Sequence, residues 1–95
     1  MQDKKDIFNQ ALNENRKILL TDFNEEHNLY QTRLCIPLEH IPPISESGFD
    51  YFYFWNPEAE VGERIFGLPP TEIQSMVLSD ESFNPNNYII PNTRA

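Results

Sequence analysis

Glycine, cysteine, histidine and lysine are scarce in this chain, and each shortage removes a class of chemistry. The 95 residues include three glycines, one cysteine and two histidines. With no two glycines in one phosphate-cradling loop, a P-loop or dinucleotide-binding fold is not expected. Cys35 has no second cysteine with which to form a disulfide or a metal cluster. In the run Leu34-Cys35-Ile36 it reads as a buried thiol behaving as a small hydrophobe. His27 and His40 show neither H-x-H nor H-x-x-x-H spacing, so a zinc site is not expected. They read as surface polar residues in a turn and at a strand end. Nucleophilic catalysis needs a base beside a serine or cysteine. None of Ser45, Ser47, Ser75, Ser79 or Ser82 lies in a G-x-S-x-G setting. Glu58-Ala59-Glu60 and Asp80-Glu81 read as solvated faces rather than as an acid/base pair. The expectation is a non-enzymatic protein with no cofactor and no metal.

Basic residues are few and unevenly placed. Residues 1–20 hold Lys4, Lys5, Arg16 and Lys17 against Asp3, Asp6 and Glu14, a balance of +1. Residues 21–95 hold only Arg33, Arg64 and Arg94 against 12 carboxylates, a balance of −9 within a net charge of −8. Such a surface repels phosphate backbones at long range and favours basic partners or plain solubility. Any nucleic-acid role must rest on a small local pocket. Long apolar runs are also missing: no stretch approaches the ~18 residues of a membrane span, and the N-terminus leads into no apolar signal region. The expected location is cytoplasmic, with no membrane contact.

Aromatic residues, by contrast, are concentrated. Seven Phe, four Tyr and one Trp occur in the chain, and half of them lie in Phe49-Asp50-Tyr51-Phe52-Tyr53-Phe54-Trp55. Aromatic residues favour a pleated, half-buried surface. Period two puts Phe52 and Phe54 on one face, which reads as core, and Tyr51, Tyr53 and Trp55 on the other, with Phe49 behind them. That second face is either more core or a platform for something flat. Tyr and Trp carry polar tips, which suits a rim near solvent.

Around this strand the elements follow in order. Asp3 caps a helix with the apolar stripe Ile7, Phe8, Ala11 and Leu12, and Asn13 and Asn15 offer stops. Lys17 to Phe23 reads as a strand and residues 24–28 as a turn. In the next strand Tyr30, Thr32, Leu34, Ile36 and Leu38 share one face, Gln31, Arg33 and Cys35 the other. Pro37 belongs at an edge or at the strand's end. Pro42 to Gly48 reads as a loop, and residues 56–62 turn the chain. Glu63 to Leu68 returns with Arg64, Phe66 and Leu68 on one face. Pro69-Pro70-Thr71-Glu72 makes one tight helical turn, and Ile73 to Ser79 forms the fifth strand. Phe83, Tyr88, Ile89 and Ile90 in the Asn/Pro-rich end either pack back or engage a partner. The fold class is mainly β: an N-terminal helix and a five-stranded SH3/Sm-like small barrel. It forms a single domain over 1–83 with a tail at 84–95. Closing such a sheet removes exposed edges.

That order, with Ile7, Ala11, Asn15-Arg16-Lys17, Arg33-Leu34-Cys35-Ile36-Pro37-Leu38, Gly48, Tyr51-Phe52, Arg64-Ile65-Phe66-Gly67-Leu68, Ile73 and Phe83, resembles the WYL domain of bacterial regulators. The resemblance runs over roughly residues 7–83. The family's Trp-Tyr-Leu triplet falls on Asp50-Tyr51-Phe52, which keeps the Tyr. Its Asp-Arg-Ile has become Pro69-Pro70-Thr71-Glu72-Ile73, without the Arg. The resemblance implies an Sm-like barrel and a regulatory module that binds a nucleotide or a short single-stranded nucleic acid.

Arg33 and Arg64 are two of the three arginines after position 20. Placed beside Tyr51, Tyr53 and Trp55, they would form a ligand site in which guanidinium forks hold an anion and rings stack on a base. The structural alternative is that each Arg lies over a ring or pairs with a nearby Glu. A rival reading from another class is a small acidic protein-interaction or inhibitor protein. Its surface would cover a basic site on a target, or it would self-associate through a barrel edge.

Overall fold

The computed structural model describes residues 3–43, 48 and 50–87. Helix α1 spans Lys4–Glu14 and is held at both ends as the sequence implies. The Asp3 carboxylate accepts the Asp6 N–H at 2.8 Å. At the other end Asn15 takes the left-handed conformation (φ 54°, ψ 47°), and its N–H reaches the carbonyls of Ala11 and Leu12. Phe8 and Ala11 are fully buried, with Ile7 and Leu12 packed beside them. An 11-residue helix is marginal alone, so this apolar stripe supplies its stability.

Five antiparallel strands follow: β1 (Arg16–Asn24), β2 (Leu29–Ile41), β3 (Tyr51–Trp55), β4 (Ile65–Leu68) and β5 (Ile73–Ser82). Single 3-10 turns lie at Pro70–Glu72, as the two prolines predict, and at Pro85–Asn87. The strands form one sheet in the order β4-β3-β2-β1-β5. The fold class is therefore mainly β, an N-terminal helix on one bent sheet of five antiparallel strands. Edge removal by closure, however, is not achieved, because β4 and β5 are not paired with each other. β4 has only four residues, and Pro69 and Pro70 at its exit lack the N–H groups a ladder needs.

Strand β2 makes the bend. Its first half pairs with β1, ending at Ile18↔Cys35, and its second half pairs with β3 from Ile36↔Trp55 to Ile41↔Tyr51. Pro37 lies inside the strand rather than at its end, and the pairing slips between Pro37 and Glu39. The slip leaves Leu38 without an opposite residue, a bulge at which a strand tolerates a missing donor and changes direction.

The core is Phe8, Ala11, Ile18, Leu20, Cys35, Phe52, Phe54, Ile73 and Met76, with Phe66 and Leu68 against it. Phe8 meets Phe52 at 5.1 Å and Phe54 at 5.4 Å between ring centroids. Burial pushes the Cys35 thiol up to about 11, in keeping with its reading as a small hydrophobe. On β2, then, the side bearing Arg33 and Cys35 turns inward. The side richer in apolar residues turns outward, with Tyr30 exposed and Ile36 covered. Beyond the core, the main chain of Phe83 donates to the Asn15 carbonyl at 2.9 Å, and Arg16 Nε donates to the Ser79 carbonyl at 2.8 Å. These bonds tie the end of β5 to the helix exit. Phe49, Tyr88, Ile89 and Ile90 lie outside the described residues.

Candidate functional site

Strand β3 sorts its rings as alternation requires. Phe52 and Phe54 face the helix and the core, whereas Tyr51, Tyr53 and Trp55 line the opposite face. Across the sheet the second set meets Ile41, Glu39 and Ile36 of β2, and on the other side Gly67 and Ile65 of β4. The Tyr51 and Tyr53 rings are 6.4 Å apart. A Cβ at Gly67 would lie 2.5 Å from Tyr53 Cε1, so the ring packs on bare backbone and a larger residue would have to displace it. The helix does not cover this face, since Phe8 packs on the other side. Tyr51 is exposed and Tyr53 and Trp55 are half-buried.

At the end of the row, Trp55, Val61, Gly62, Arg64 and Ile65 enclose a pocket of about 180 Å³. The loop between β3 and β4 builds it. The Asn56 N–H donates to the Arg64 carbonyl at 2.7 Å, and the Glu63 N–H to the Glu60 carbonyl at 2.9 Å. Gly62 supplies the left-handed turn between them (φ 97°). Arg64 precedes β4 and does not share the Phe66/Leu68 face. Its Nε donates to the Ala59 carbonyl at 3.1 Å, which fixes the side chain beside Trp55. Among the described residues no carboxylate lies within ion-pair distance of it.

Arg33 is not part of this arrangement. It projects from the inner face of β2 over the Phe66 ring, 4.3 Å from the centroid. Its Nη2 donates to Asp22 at 2.9 Å. Asp22 is buried and also accepts from Gln31 at 3.3 Å. A guanidinium stacked on a ring and paired with a buried carboxylate is the structural alternative weighed for arginine from the sequence. The structure thus brings together Trp55 and Arg64, extends them along Tyr53 and Tyr51, and places Arg33 on the opposite side of the sheet.

Two features escaped the sequence reading. His40 is not a surface residue: its ring stacks on Phe52 at 4.8 Å and its Nε2 is 3.0 Å from Asp50. Only the pairing His40↔Phe52, set by the bulge at Leu38, turns it inward. The other is an outward aromatic pair, Phe23 and Tyr30, with centroids 5.1 Å apart. Odd-numbered positions on β1 carry Leu19 and Phe23 away from Ile18 and Leu20, so period two alone was enough to place Phe23 outside. Among the described residues no group of three potential metal ligands occurs, and no helix is long and apolar enough to cross a membrane. No protein-family model, no curated protein and no solved structure matches the chain.

Proposed function

We propose that the chain is a small, non-catalytic sensing module whose Trp55–Arg64 pocket takes a planar, anionic or nucleotide-like ligand. The observation that carries this reading is the meeting of the indole with a half-buried Arg64 that has no ion-pair partner among the described residues, on the sheet face the helix leaves open. The helix-then-strands order and the resemblance to the WYL domain agree with it. At about 180 Å³ the pocket is smaller than the roughly 300–1,000 Å³ of sites for whole drug-sized ligands. It holds one ring, with an anionic group on Arg64 and the remainder along Tyr53 and Tyr51. Arg33 takes no part, because its charge serves Asp22.

A stacked base contributes about 1–3 kcal/mol and a charge-assisted hydrogen bond about 1.5–3. Both figures are net differences read from substitutions, and together, at about 2.5–6 kcal/mol, they correspond to a weak affinity of roughly millimolar order. Trp55 is the only tryptophan, so its fluorescence reports the pocket directly. Titration with AMP, GMP and a short oligonucleotide should give a saturable change, weakened about tenfold in Arg64→Ala. A flat response in the wild type refutes the reading.

The balance of −9 over residues 21–95, with exposed Leu19, Tyr30 and Val77, favours a second reading. In it the chain is an acidic protein-interaction or inhibitor protein that covers a basic site on its target.

A further inference from the structure

The β1–β2 hairpin carries its largest side chains outward. Phe23 and Tyr30 are opposite each other in the register, 40% and 58% exposed, with their rings edge to face at 73°. Beside them, where the turn at Pro70–Glu72 leads into β5, lies a groove of about 230 Å³. Its walls are the two rings, Glu25 from the hairpin turn and Glu72 from the 3-10 turn, and Ile73 and Gln74 lie alongside. Neither Glu25 nor Glu72 forms an ion pair among the described residues. Two like charges and an aromatic pair therefore line one recess, and no cation occurs among its described lining residues.

We infer that this groove receives an arginine side chain from a basic segment of a partner protein. The assignment deepens the partner-binding reading and is separate from the Trp55–Arg64 pocket. Charge complementarity selects a cation. The rings select a cation that is planar and weakly hydrated, because guanidinium lies on an aromatic face better than ammonium does. An aliphatic stem fits against Ile73 and the Tyr30 ring while the head reaches both carboxylates. The groove has far more room than a bare metal ion needs, and only its two carboxylates are strong donors to one.

The test is amide chemical-shift mapping of the whole 95-residue chain, with the capped tripeptide acetyl-Gly-Arg-Gly-amide as probe and acetyl-Gly-Gln-Gly-amide as control. The arginine peptide should move the amides of Phe23, Glu25, Tyr30, Glu72 and Gln74 along one saturating curve, and the glutamine peptide should not. Paired Glu25→Gln and Glu72→Gln should weaken binding about fivefold or more, as loss of two charge contacts requires. The same charge change at Glu58→Gln and Glu60→Gln should leave it within about twofold, since those exposed carboxylates contribute only to the long-range field. Tyr30→Leu, which keeps bulk but removes the π face, should weaken binding about threefold to fivefold. Shifts spread evenly over the acidic loops, or equal losses in both charge-matched pairs, would overturn the groove while leaving a diffuse acidic interaction surface. No shift at any site would overturn both the groove and the partner-binding reading.

Discussion

The same two strands obey opposite rules at their two ends. Near the helix, Ile18, Leu20 and Cys35 point inward into the core with Phe8 and Phe54, the ordinary pattern of a sheet with one face buried. Toward the hairpin the inward positions become Asp22, Gln31 and Arg33, while Phe23 and Tyr30 face solvent. One end is built by apolar burial, the other by a buried polar cluster with rings outside. Burial of polar groups stabilises little by itself and is expensive to break. The hairpin end is therefore weakly stabilised in net terms yet narrowly specified, and its exposed rings remain available to a partner.

Substitutions can break this contrast, and the largest effect belongs to the apolar end. Phe54→Ala removes a fully buried ring and should cost about 3–5 kcal/mol. That is a large share of the roughly 5–15 kcal/mol typical of a domain. Tyr53→Ala, one residue away on the other face, should cost only about 1–2 kcal/mol because its ring already meets solvent. Equal shifts in the denaturant midpoint for the two variants would erase the distinction between the faces of β3.

Next in size is the polar end. Arg33→Ala leaves Asp22 buried without its cation. Arg33 retains some exposure, so the loss should fall at about 2–3 kcal/mol rather than at the upper end for buried pairs. A double-mutant cycle with Asp22→Ala should recover at least about 1 kcal/mol of the summed losses. Additive losses would mean that the two charges do not depend on each other, and the picture of a polar plug would fail.

Helix α1 was legible down to its caps, because Asp3, Asn15 and the stripe from Ile7 to Leu12 act locally. Five strands were legible from their alternation and from the turns between them. Sheet closure was not, because it depends on whether β4 and β5 lie within pairing distance, and no local propensity decides that. The path of β2 was half legible: Pro37 announced a break in the ladder, but a bulge inside the strand satisfies a proline as well as an end does. At the candidate site, the outward set Tyr51, Tyr53 and Trp55 followed from period two. The convergence of Arg33 with Arg64 was an inference across strands. It failed because Arg33 follows the inward phase of Cys35, whereas Arg64 sits in the bend before β4 and follows no phase. Asp22, the residue that claims Arg33, was visible only as one carboxylate among many.

A smaller effect comes from Cys35, at the border between the two ends. Its folded-state thiol lies near 11, above its ordinary value of 9.0, because burial disfavours the thiolate. The folded state therefore keeps its proton where the unfolded chain has lost it. The contribution is fully present below pH 9 and falls as pH rises toward 11. Between pH 8 and 10 the loss should be on the order of 1 kcal/mol, which unfolding curves can resolve when compared with Cys35→Ala. Thiol reagents at pH 8 should label the native protein only as fast as it opens. Rapid labelling without unfolding would show that the strands part easily where the apolar core meets the polar cluster.

The smallest stability change is expected at the outward rings. Tyr30→Ala removes the edge-to-face contact with Phe23, but little buried area, and should cost about 0.5–1 kcal/mol. This is the sharpest check on the comparison, because it separates what a residue does for the fold from what it offers to solvent. A ring that costs little to remove and yet strengthens arginine binding severalfold is kept for recognition. If Tyr30→Ala instead unfolds the hairpin as severely as Arg33→Ala does, the rings support the fold from outside. The two ends would then differ in geometry but not in purpose.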